Sequence, residues 1–166
     1  MQALSETDPA TRLDRLVSDA LPDQRGLGAW RALLRAHASL MRELATDLVT
    51  RTGLTLGDFD VLAQLALGGG ELRMTDLAAR AFSSRSGMTR RVDRLVEEGL
   101  VRRSSADADA RGVVVALSDA GVARLAETVP VHLRRVSELF LERLDDEELD
   151  VLERALDKVT PSCSFG

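Results

Sequence analysis

The densest group of side chains able to do chemistry lies between residues 84 and 94, where Ser84, Arg85, Ser86, Thr89, Arg90, Asp93 and Arg94 follow one another closely. Guanidinium forks and short hydroxyls are hydrogen-bond donors first. An arginine can donate bidentately to the O6 and N7 acceptors of guanine, and a serine or threonine hydroxyl can meet a base edge or a phosphate oxygen. From Arg73 to Arg94 the chain carries six arginines against two aspartates, although its net charge is −5. Residues 1–71 hold 7 basic and 10 acidic side chains, residues 72–117 hold 9 and 6, and residues 118–166 hold 6 and 11. A basic middle between acidic flanks suits a local anion-binding surface whose flanks limit nonspecific adsorption. Charge alone fits a merely solvated face equally well, so the arrangement has to decide.

Something must hold those donors outward. Met88, Val92, Leu95 and Val96 recur at helical spacing and predict the inner face of a helix over about 85–98, with Ser83-Ser84 as its N-cap and Gly99 as its stop. Its first-turn N–H groups would sit well against a phosphate oxygen, and Gly87 lets the backbone come close. Two short helices precede it. Thr55 can cap one that carries Phe59, Leu62, Ala63 and Leu65 and stops at Gly68-Gly69-Gly70, and a second covers roughly 75–81 with Leu77, Ala78 and Ala81 inward. After Gly99 the β-branched segments LVRRSS and GVVVALS, separated by the polar ADADAR, read as a two-stranded hairpin. Three short helices followed by a hairpin is the order of a winged helix-turn-helix, whose third helix enters the DNA major groove. A surface helix bearing arginines only for solubility would need neither the hairpin nor the serine cluster.

The stretch DLAARAFSSRSGMTRRVDRLVEEGLVRR, followed by DARGVVVALSDAG, resembles the MarR family of bacterial transcription regulators without interruption from Asp76 to Gly121. GLTLGDFDVLAQLAL is similar to the family's preceding helix, and the order of elements matches over roughly residues 28–160. The resemblance implies a homodimer with intertwined terminal helices, two winged lobes on a pseudo-palindromic promoter site, and release of the DNA by a small aromatic or phenolic ligand. Position by position, it implies recognition-helix contacts at Ser84, Arg85, Ser86, Thr89 and Arg90, with Arg94 one turn further on. It also implies a wing in which Arg111 enters the minor groove while Asp109 holds the loop. Gly87 and Gly112 depart from the family pattern and loosen both elements. Strand alternation lets at most one of Arg102 and Arg103 face DNA, leaving the other as a salt-bridge partner.

The remaining segments read as helices in search of cover. Asp8-Pro9 opens a short helix with Leu13, Leu16, Val17, Ala20 and Leu21; Trp30 to Leu48 line one face of a longer one ending near Gly53. Ser118 can cap a helix running from Val122 through Leu139 with a kink at Pro130, and Asp145 with Glu148 predicts a capping box before Leu149, Leu152, Leu156 and Val159. Stripes of that extent exceed what a lobe of about fifty residues can cover, which predicts association of two copies, with half-sites ~34–36 Å apart on the duplex. The fold class is thus mainly α with a small β-hairpin: N-terminal dimerisation helices over 1–53, a winged-helix DNA-binding lobe over 54–118 and C-terminal dimerisation helices over 119–166.

Trp30 and His37 share a helix face near where the family's ligand pocket would open, and Asp60 echoes an acid of its urate-responsive branch; each also fits an ordinary structural role. Cys163 in the tail reads as inert. A lone cysteine with two distant histidines, His37 and His132, makes no metal site or disulfide, and there is no phosphate loop or nucleophile elbow, so neither an enzyme nor a cofactor is expected. No apolar stretch reaches the ~20 residues of a membrane span, and the acidic N-terminus is unlike a signal peptide, which predicts a cytoplasmic protein with no membrane partner. Lys158 is the only lysine beside abundant arginine, as in GC-rich bacterial genomes. The competing reading is a winged helix that binds proteins and no DNA.

Overall fold

The computed structural model describes residues 8–21, 23–24, 26–81, 85–105 and 112–159, with the backbone alone for Arg85, Ser86 and Ser105. The chain divides into two compact units, residues 1–41 and 42–166. In the first, α1 (Pro9–Ala20) starts where sequence places it: the Asp8 carboxylate accepts from the Thr11 N–H at 3.2 Å, and proline occupies the first turn. The helix α2 (Leu27–Thr52) begins in this unit and continues into the second.

In the second unit, α2 stops at Gly53, whose φ of +71° only glycine adopts without strain. There follow α3 (Leu56–Leu67), β1 (Glu71–Arg73), α4 (Met74–Arg80), α5 (Arg85–Glu97), β2 (Val101–Ser105), β3 (Val113–Leu117) and α6 (Asp119–Leu139). A 3-10 turn over Leu141–Arg143 then leads into α7 (Asp146–Asp157). The Thr55 hydroxyl caps α3 through the Asp58 N–H at 3.2 Å, and the Ser118 hydroxyl caps α6 through the Gly121 N–H at 3.0 Å. Asp145 and Glu148 form the reciprocal capping box of α7, at 2.8 and 3.0 Å.

The sheet corrects the expected two-stranded hairpin. It has three antiparallel strands in the order β1-β3-β2, with Leu72 opposite Val115 and Arg103 opposite Val115 on the other side. Three residues are too few to show alternation, and β1 exists because it completes the open edge of a strand more than forty positions away. The core lies between α3, α4, α5 and the sheet: Val61, Leu62, Leu65, Leu77, Met88, Val92, Leu95 and Val115 are fully buried, and Leu48 of α2 joins them. Leu125, Val129 and Val131 of α6 close the core from outside. Gly121 makes that closure possible, because a Cβ there would overlap the Leu100 carbonyl oxygen.

Two expectations about burial fail. Val96, assigned to the inner face of α5, is exposed, because Leu95 already fills the inward position and the next residue points a hundred degrees away. On the last helix, Leu149, Leu152 and Leu156 are only half-buried and Val159 is exposed, as this chain alone offers them too little apolar surface. Among the described residues no helix is long and apolar enough to cross a membrane.

Candidate nucleic-acid interface

The outward face of α5 is defined by what its underside does. Met88, Val92 and Leu95, at spacings of four and three, are sealed in the core, so the helix cannot roll without exposing them. Thr89 and Arg90 stand on the exposed side, and Arg90 makes no ion pair among the described residues. Arg85 and Ser86 occupy the first turn of the same helix, where the backbone is described; Ser84, Asp109 and Arg111 lie outside the described residues.

Two side-chain links fix α5 on its flanks. Arg103 of β2 donates to the Asp93 carboxylate and, at 3.2 Å, to the Thr89 carbonyl, tying the wing strand to the helix. Arg103 is therefore the salt-bridge member of the Arg102-Arg103 pair. Arg102 is exposed, with no ion pair among the described residues. On the other flank, Arg94 donates to both oxygens of Asp58 at 2.5 and 2.6 Å. Arg94, expected among the DNA contacts, thus engages a carboxylate of its own chain while its side chain stays 48% exposed. Its hydrogen bond to Asp58, and then the charge of that carboxylate, raise its pKa further above the usual guanidinium value. The Arg91 Nε lies 4.0 Å from the same carboxylate.

Asp58 escapes a sequence reading because an acid in the first turn of a helix looks like an ordinary dipole-favoured residue, and its partner is 36 positions away. The only signal was its place three residues after the capping Thr55, whose hydroxyl indeed donates to it at 2.6 Å. Asp60, two residues on, is half-buried and accepts from the Gln64 amide at 3.4 Å. It takes no arginine among the described residues; that role falls to Asp58. Trp30 and His37 both belong to the first unit and are exposed on α2, whereas Asp60 belongs to the second. Among the described residues no group of three His, Cys, Asp or Glu side chains is placed to hold a metal.

Residues 52–112, the span from the end of α2 to the start of β3, match the model of the MarR family. A MarR family transcriptional regulator from Streptomyces coelicolor, solved in complex with DNA, is 31% identical; the match covers 82% of this chain and 92% of that one with a TM-score of 0.75. A MarR mutant from E. coli complexed with operator DNA is 27% identical over 88% and 99% of the two chains, TM-score 0.72. The transcriptional repressor YetL of Bacillus subtilis is 31% identical over 105 residues, 63% of this chain and 62% of that protein. These relatives regulate transcription and are not enzymes. An arginine-bearing helix on a closed winged core, matched by chains held on duplex DNA, leads to one conclusion: this protein belongs to the MarR family and is a DNA-binding transcription regulator.

Proposed function

We propose that α5 reads the major groove of a pseudo-palindromic promoter site, one copy from each subunit of a homodimer, and that the bound protein represses transcription. The observation that carries this reading is the exposed Arg90, without an ion pair among the described residues, above the buried Met88, Val92 and Leu95. Arg85, Ser86 and Thr89 share its helix, Ser84 precedes it, and Arg111 with Asp109 in the wing completes the contact set. Residues 54–118 are the DNA-binding lobe in this reading; 1–53 and 119–166 supply the dimer helices, an assignment supported by exposed Leu13, Leu16, Leu133 and Val151. The name of YetL as a repressor supports the direction of regulation.

The test uses a duplex selected by the protein from a random-sequence pool. Arg90→Ala weakens binding to it by about ten- to a hundredfold, the discrimination a bidentate arginine contributes, while the melting temperature holds. Arg111→Ala does likewise, and log affinity falls steeply and linearly with log salt. Undiminished binding by folded Arg90→Ala overturns α5 as the reader. A small aromatic or phenolic effector completes the reading by favouring a lobe spacing that misses the two grooves, a coupling of typically ~1–3 kcal/mol. Trp30, His37 and Asp60 are its candidate contacts, each substituted singly. Titration of the DNA complex with aromatic acids, phenols and urate, giving no change with any, removes the effector from this account.

A further inference from the structure

Asp58 belongs to α3, not to the helix proposed to read DNA, yet it is a buried carboxylate bound to that helix through Arg94. Its side chain is buried (3% exposed) and takes three donated hydrogen bonds: one from the Thr55 hydroxyl at 2.6 Å and two from Arg94, with Arg91 at 4.0 Å beyond them. Gly57 beside it leaves room for Arg91, since a Cβ there would overlap the Arg91 guanidinium. We infer that Asp58 is a positioning residue for DNA recognition, which sets the rotation of α5 about its own axis by holding Arg94, and thereby aims Arg90 one turn earlier.

The inference rests on α5 being the reading helix. Apolar contacts through Met88, Val92 and Leu95 decide which side of α5 is inward and prevent it from rolling over, but they are non-directional and do not by themselves set its fine rotation. Hydrogen bonds are directional. Arg94 and Arg90 are four residues apart and so lie nearly in line along the helix; fixing one guanidinium to a carboxylate that is itself held by Thr55 fixes the azimuth of the other. The Arg103 link from β2 to Asp93 and Thr89 holds the opposite flank, so α5 is clamped from the wing and from α3 together. A bidentate contact to a base tolerates little misalignment, whereas contact with phosphates tolerates much more. Loss of the Asp58 anchor therefore erodes sequence discrimination and leaves general attraction to DNA intact.

The experiment measures affinity for the selected duplex and for a scrambled duplex of equal length and composition, well below the melting temperature. The variants are Asp58→Asn, Arg94→Gln and the double variant, with folding checked by circular dichroism. Each single variant is expected to lower the ratio of selected to scrambled affinity by about tenfold, with the scrambled affinity and salt slope unchanged and the double variant no worse than either single one. Should Asp58→Asn not fold, Arg94→Lys keeps the charge, gives up the fork and is expected to lower the same ratio by a few-fold. An unchanged ratio in any folded variant overturns the inference. Equal loss on both duplexes overturns it too, as does a salt slope reduced by about one in Arg94→Gln, which would make Arg94 a direct phosphate contact. Arg90→Ala in the same assay separates the two ideas: if it leaves selected binding intact, α5 is not the reader, whereas a loss there beside an unchanged Asp58→Asn removes the positioning role alone.

Discussion

The winged lobe and the helices that flank it are built from the same kind of sequence and reach opposite outcomes. Both carry leucine and valine stripes at helical spacing, and both have side-chain N-caps: Thr55 on α3 in the lobe, and Asp8, Ser118 and the Asp145-Glu148 box on the flanking helices. In the lobe the stripes close on one another, so that Leu62, Leu65, Leu77 and Leu95 are fully buried. On the flanks Leu16 stays 63% exposed, Trp30 55% and Val151 51%. Local signals therefore suffice to start and stop a helix. Whether its apolar face finds cover depends on surfaces that one chain need not own.

The largest effect that separates the regions is expected inside the lobe. Leu65→Ala removes a fully buried side chain at the meeting of α3 with the sheet and α5, and should cost about 2–5 kcal/mol in urea unfolding, with a midpoint shift that does not depend on protein concentration. A loss below 1 kcal/mol would mean the lobe core is far looser than its packing indicates. Next in size is the flank. Leu16→Glu or Leu34→Glu, each on an exposed apolar face, should leave the lobe folded and raise the dissociation constant of the proposed dimer by about tenfold or more in sedimentation equilibrium. Association that is unaltered by both would show that these stripes face something other than a second copy.

The same contrast explains what could be read in advance. The helix order, the two hairpin strands and the caps of α1, α3, α6 and α7 follow from periodicity and from residues three or four positions apart, and the structure places them within a residue or two, while the expected Ser83-Ser84 cap of α5 lies outside the described residues. The missed features are all relations across long stretches of chain. The strand β1 is written only in the edge left open by Val114–Ala116, and the engagement of Asp58 only in where Arg94 arrives after a turn and another helix. Val96 shows the reverse case: an apolar residue next to a core position has the right type for the inner face but the wrong angle, and it stays exposed. As for the reading face itself, Arg90 was legible because outwardness follows from the stripe beneath it. That Arg94 pairs with a carboxylate of α3 does not follow, because nothing in the local spacing distinguishes the two arginines.

The smallest expected effect lies at the border between the two regions, where α6 leaves the lobe. His132 of α6 packs against Phe59 of α3 with the rings tilted at 43° and their centroids 4.6 Å apart, and its Nδ1 is buried with no hydrogen-bond partner among the described residues. Burial lowers its pKa below the ordinary value of 6.5, since a charged imidazolium there would lose water and gain no acceptor. The folded protein consequently binds this proton less readily than the unfolded chain. Its contribution to stability is complete above pH 6.5 and is lost progressively as pH falls from there through the depressed value, after which the pH dependence from this group ends. His132→Phe keeps the ring and removes the titration, so the difference in unfolding free energy between wild type and variant should be flat above pH 7 and should move in favour of the variant as the solution is acidified below 6.5. Carboxylates titrate at lower pH in both proteins and cancel in that difference. A difference that stays constant from pH 7.5 to about 5 would mean that the imidazole reaches water or an acceptor, and that α6 sits less tightly on the lobe than its contact with Phe59 requires.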